Sequence, residues 1–98
     1  MKSIPLRDLP GDQPGVEPLR YTQVLIEVIR CPLDPRAGIT IEEMRQSLRV
    51  LDAIEKSNGT LELEDADYEH LKAKLLAMPW GVVDRRIMTL VDDVTGVM

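Results

Sequence analysis

Apolar side chains recur at helical spacing in four stretches of this chain, and one short stretch between them alternates with the period of a strand. The first helical stretch runs from Leu19 to Arg30, where Tyr21, Val24, Leu25, Val28 and Ile29 form an unbroken stripe. Pro18 suits its first turn, and Pro32 stops it. Cys31, directly before that proline, is disfavoured from helical geometry. Ile26 falls off the stripe, so burial on two sides is expected.

The turn-rich connection PLDPRAGI leads to a second helix that opens at Thr40. Thr40 and Glu43 match a capping box. The hydroxyl accepts from the N–H of Glu43, and the carboxylate reaches back to the N–H of Thr40. Ile39 and Met44 flank it as a hydrophobic staple. Met44, Leu48, Leu51 and Ile54 are the stripe expected to face the core, with Glu42, Arg45, Arg49, Asp52 and Lys56 on the wet side. Asn58-Gly59 closes the helix, because glycine readily takes the left-handed conformation.

Thr60 to Glu64 alternates, with Leu61 and Leu63 on one face and Glu62 on the other, which predicts a short strand. A lone strand leaves its backbone unsatisfied, so a partner is expected within residues 3–9. Asp65 is the expected cap of a third helix over about 66–78, with Tyr68, Leu71, Leu75 and Met78 inward and Lys72 and Lys74 placed late, as the helix dipole prefers. Pro79-Trp80-Gly81 breaks the chain, and Trp80 reads as an anchor over the end of the core or, alternatively, as an interface hot spot. A fourth helix over about 82–94 presents Val83, Ile87, Leu90, Val91 and Val94 and ends at Thr95-Gly96. The pattern predicts a mainly α fold, a compact bundle of about four helices with a small two-stranded β element, in one domain spanning 1–98. Residues 1–18 hold four of the seven prolines, which excludes a helix there. They read as a Pro-rich N-terminal arm, either a loose tail or a segment that orders on a partner.

Composition narrows the function. Aromatic residues are only Tyr21, Tyr68 and Trp80, so the core is built from Leu, Ile, Val and Met, and stacking platforms for bases are few. The formal charge is −5. Residues 41–98 carry seven basic and twelve acidic side chains, while residues 1–40 carry five of each, so the excess lies in the later part. That balance argues against nucleic acid and against anionic membrane, and it leaves solubility or a basic protein partner. A single cysteine, Cys31, forms no internal disulfide and no cysteine-based zinc site. No run of signal-peptide or membrane-span length is visible, so a cytoplasmic setting is expected.

Candidate chemistry is sparse. Asn58 to Leu61 and Asp65 fit the later positions of a calcium-binding loop. Ile54 and Lys56 then occupy the first and third positions, where oxygen ligands are needed, so no metal is expected. His70 is the only histidine and lies beside the third helix's buried stripe. No serine-centred elbow or phosphate loop accompanies it, so no catalytic residues and no cofactor are expected. Arg85-Arg86 stands among Asp84, Asp92 and Asp93, a poor setting for phosphate contacts. The densest charge cluster is acidic. Glu62, Glu64, Asp67 and Glu69 are the residues expected to bind a partner, or otherwise to form a solvated face.

The run ITIEEMRQSLRVLDAIEKSNGTLELEDADYEHLKAKLLAMPW, with the closing LVDDV, resembles small uncharacterised accessory proteins of tailed phages and prophages of proteobacteria. The resemblance spans residues 19–95 and carries no functional residues. It implies a phage-related origin and a short accessory protein. The function expected of the chain is noncatalytic protein–protein interaction in phage assembly, for example of tail-assembly or head–tail type, in the bacterial cytoplasm or on the virion. The alternative is a small inhibitor or regulator of a host nucleic-acid-binding protein, acting through an acidic face. Either remaining helix face could make a homo-oligomer, and the sequence does not choose.

Overall fold

Local capping chemistry and two proline stops divide the chain as the pattern predicts, and tertiary pairing moves several boundaries. The computed structural model describes residues 1–11, 14–34, 36–81 and 83–97. The elements run β1 (Lys2–Pro5), β2 (Asp8–Leu9), β3 (Leu19–Arg20), α1 (Tyr21–Arg30), α2 (Ile41–Lys56), β4 (Thr60–Leu63), α3 (Asp65–Ala77) and α4 (Arg85–Thr95). The fold is mainly α, with four helices among the described residues and two small antiparallel sheets.

The alternating stretch finds its partner where the pattern requires one. β1 pairs antiparallel with β4, with Ile4 opposite Leu61 and Lys2 opposite Leu63. Ile4, Leu61 and Leu63 turn inward and are fully or nearly fully buried, while Ser3 and Glu62 face out. β2 and β3 form a second small sheet that the helical period does not reveal. Leu19 and Arg20 belong to it, so α1 begins at Tyr21 and Pro18 lies outside the helix. Both sheets bind the first residues of the N-terminal arm into the fold. Asp12 and Gln13, in the middle of that arm, lie outside the described residues.

The core joins Tyr21, Leu25, Val28 and Ile29 of α1, Val50 and Ile54 of α2, Tyr68, Leu71 and Leu75 of α3, and Leu90 and Val94 of α4 to the sheet residues. Trp80 and Met78 pack against its edge, as expected of an anchor at the break. Thr40 caps α2, its Oγ1 accepting from the N–H of Glu43 at 3.1 Å. Gly59 takes φ +81° just beyond the helix, where a Cβ would strain the backbone.

Four expectations need correction. The buried side of α2 is Ser47, Val50 and Ile54; Met44 and Leu48 are exposed and Leu51 is only half-buried. The helix is rotated by roughly one residue position from the expected phase. The capping box is half formed, because the Glu43 carboxylate turns inward to Lys74 rather than back to Thr40. Glu64, not Asp65, is the residue at the N-cap of α3, and its side chain makes no capping bond. Finally, α4 starts at Arg85 after Asp84, whose carboxylate accepts from the N–H of Arg86 at 2.9 Å. Val83 therefore stands outside the helix, fully exposed, and position 82, the expected start, lies outside the described residues.

Candidate functional site

The strand β4 and the turn into α3 carry the acidic cluster, and the fold divides it. Glu62 lies on the outer face of β4, and Glu64 holds the N-cap position of α3. Both line a groove of about 660 Å³ between β4 and the C-terminal half of α2, together with Asp52, Arg49, Lys56 and Asp67. Met1 also lines it, and with Asp67 paired to Arg49 the balance is three carboxylates, Asp52, Glu62 and Glu64, against Lys56. Asp67 is buried, and its Oδ1 accepts from Arg49 Nε at 3.3 Å. It therefore anchors α3 to α2 instead of presenting charge to solvent. Glu69 is exposed on α3 but does not line the groove. Of the four expected partner-binding residues, Glu62 and Glu64 share one open surface, Glu69 sits apart and Asp67 is engaged internally.

A polar seam that periodicity does not reveal runs between α2 and α3. Lys74 is almost wholly buried, and its Nζ donates to the carbonyls of Ile29 at 2.8 Å and Cys31 at 2.7 Å. These carbonyls belong to the end of α1, which otherwise lacks donors. Glu43 Oε2 lies 3.1 Å from the same ammonium, an ion pair without a directed hydrogen bond. One turn further along α2, Ser47 Oγ lies 3.0 Å from His70 Nε2. Gln46 Nε2 donates to the carbonyl of Ala66 at 3.2 Å. Burial lowers the His70 pKa, and the nearby Lys74 charge lowers it further, while Glu43 and Asp67 oppose the shift. The one signal in the sequence that could have found this seam is the set of polar residues at positions 43, 47, 70 and 74, spaced by one helical turn on each of two helices.

A serine beside a histidine invites a nucleophilic reading. Ser47 is buried inside a continuous helix, where backbone N–H groups are already bonded one turn back. They are not turned toward a reacting carbonyl, as stabilisation of a developing oxyanion would require. The pair reads as a clamp between two helices.

The other candidates are absorbed by the fold. Arg86 spans Asp84, the carbonyl of Glu17 at 2.9 Å and the carbonyl of Leu9, so it ties α4 to the N-terminal segment. Tyr21 Oη donates to Asp93 at 2.6 Å, and Arg7 pairs with the same carboxylate. Cys31 is half-buried beside a small apolar pocket of about 160 Å³ lined by Val28, Pro32, Ala77 and Met78, among others. Among the described residues no group of three or more His, Cys, Asp or Glu is placed to hold a metal ion. Among the described residues no helix is long and apolar enough to cross a membrane.

Comparison with family models, curated proteins and solved structures returns no match.

Proposed function

We propose that this chain is a noncatalytic protein–protein interaction protein that receives a basic segment of its partner along the acidic groove between α2 and β4. The observation that carries this reading is the placement of Glu62 and Glu64 together on the open wall of one groove, both exposed. Carboxylates so placed keep their hydration in the free protein and offer charge to an incoming Lys or Arg. The resemblance to phage and prophage accessory proteins supports an assembly partner, of the tail or head–tail machinery, as the source of that segment.

The experiment is a tagged pull-down from phage-producing cells, with bound proteins identified by mass spectrometry, followed by a Glu62→Lys/Glu64→Lys variant. Recovery of a virion component that the variant loses would support the reading. Unchanged recovery by the variant sinks the groove assignment. Asp67 is left intact, because removing it would free Arg49 and disturb the helix packing. Recovery of a host polymerase, nuclease or repressor, displaced by DNA, would favour the inhibitor reading instead.

A further inference from the structure

The corrected phase of α2 leaves an apolar stripe on the outside of the molecule. Ile41 is 65% exposed, Met44 46% and Leu48 51%, and half-buried Leu51 continues the line. Their spacing of three, four and three residues keeps them on one seam, the arrangement of helices that pack against another helix. Isolated exposed apolar residues are ordinary, but a stripe along three turns of one helix is a contact surface.

We infer that this stripe pairs with its own copy, α2 against α2 in antiparallel orientation about a twofold axis near Leu48. The charges on its rim choose the occupant. Arg45 and Asp52 border the seam on its solvent side, and among the described residues neither has an ion-pair partner. Turned end for end about Leu48, each copy's Arg45 comes opposite the Asp52 of the other, twice by symmetry. That axis brings Leu48 onto Leu48, Met44 and Arg45 to the level of Asp52 and Leu51, and Ile41 to the level of Glu55, so the apolar contact is centred on Leu48 and the charges meet on its rim. In a parallel pair the two copies of Arg45, and of Asp52, lie on opposite sides of the seam, so no Arg45–Asp52 contact forms. Arg49 does not interfere, because Asp67 already holds it. Asp52 also lines the groove proposed above, so the charge exchange touches both surfaces, whereas Leu48 lies outside that groove and Leu48→Glu tests the seam by itself.

The test is sedimentation equilibrium on the full chain over a wide concentration range. The wild-type chain is expected to form dimers. Leu48→Glu should leave a folded monomer, checked by circular dichroism. Arg45→Asp should weaken the dimer about tenfold, and adding Asp52→Arg should restore it, as expected when both members of a facing pair are exchanged. The charge exchange lies wholly on the surface, so it decides the matter even if Leu48→Glu fails to fold. A chain that stays monomeric throughout overturns the inference and leaves the stripe to a different protein. Dimers indifferent to Leu48→Glu or to Arg45→Asp, or a double variant that is not restored, overturn it as well.

Discussion

Lys74 carries more of the structure than its position in the sequence suggests. A lysine late in a helix normally reaches into water and favours the helix dipole. This one is held inside, with two carbonyls of the α1 terminus and the Glu43 carboxylate around its ammonium. Removing one member of a buried charge pair leaves the other unpaired. Lys74→Ala is therefore expected to lower stability by about 3–5 kcal/mol, read from urea unfolding. A Lys74→Met/Glu43→Leu double variant should recover part of that loss, since an apolar pair of similar volume removes both desolvated charges. A Lys74→Ala variant within about 0.5 kcal/mol of wild type would show that the ammonium is not buried in solution. His70 gives a second residue-scale expectation. Its native pKa is held below the usual 6.5 by burial first and by Lys74 next. The unfolded chain then binds more protons in the interval between the two values. The corresponding stability is complete above about pH 6.5 and is lost as pH falls through the native value. The urea midpoint should thus drop between about pH 7.5 and about pH 5.5, and His70→Gln should shrink that drop. An NMR titration placing the ring at or above 6.5 would count against this account.

At the scale of elements, what was legible is what depends on neighbours in sequence. The Thr40 cap, the stop at Pro32, the Gly59 turn and the inward faces of Leu61 and Leu63 all rest on chemistry within a few residues. The phase of α2 does not. Reading Met44, Leu48 and Leu51 as core assumes that apolar side chains take the buried side. The fold instead turns Glu43 and Ser47 inward, because α3 supplies Lys74 and His70 to satisfy them. Polar groups can occupy an interior when partners meet them, and no pattern within α2 alone announces those partners. The N-terminal strand makes the same point in reverse. Prolines suggest a loose arm, yet Ile4 is fully buried between β4 and the helices. Ile4→Ala should therefore cost about 2–5 kcal/mol in a denaturation series, comparable with Leu71→Ala. A loss under about 0.5 kcal/mol would place β1 outside the cooperative unit.

Across the whole molecule, charge is distributed by role. Arg7, Arg49, Arg86 and Lys74 are spent within the fold on Asp93, Asp67, Asp84 and Glu43, joining segments distant in sequence or steadying a helix start. The exposed carboxylates Glu62 and Glu64 remain for the surface. If a basic partner uses them, its affinity should fall steeply between low salt and about 0.5 M salt, because exposed charges are screened beyond a few ångströms. The α2 self-association should respond less, since apolar burial dominates that seam. Isothermal titration at the two salt concentrations separates the cases, and a partner affinity indifferent to salt would remove the electrostatic basis of the groove. The candidate site was legible only as composition. The run from Glu62 to Glu69 is visibly acidic, but which of its members face one opening depends on a strand edge, a helix cap and a buried pair. By itself the sequence determined the helical class, most element ends and the need of the strand at residues 60–63 for a partner, because caps, turns and side-chain period are local properties. Only the tertiary structure decided which face of α2 is inside, that Asp67 and Lys74 are buried, and that an apolar stripe is left outside. Those outcomes depend on side chains from other elements meeting in space, where a buried polar group is stable only once its partner has arrived.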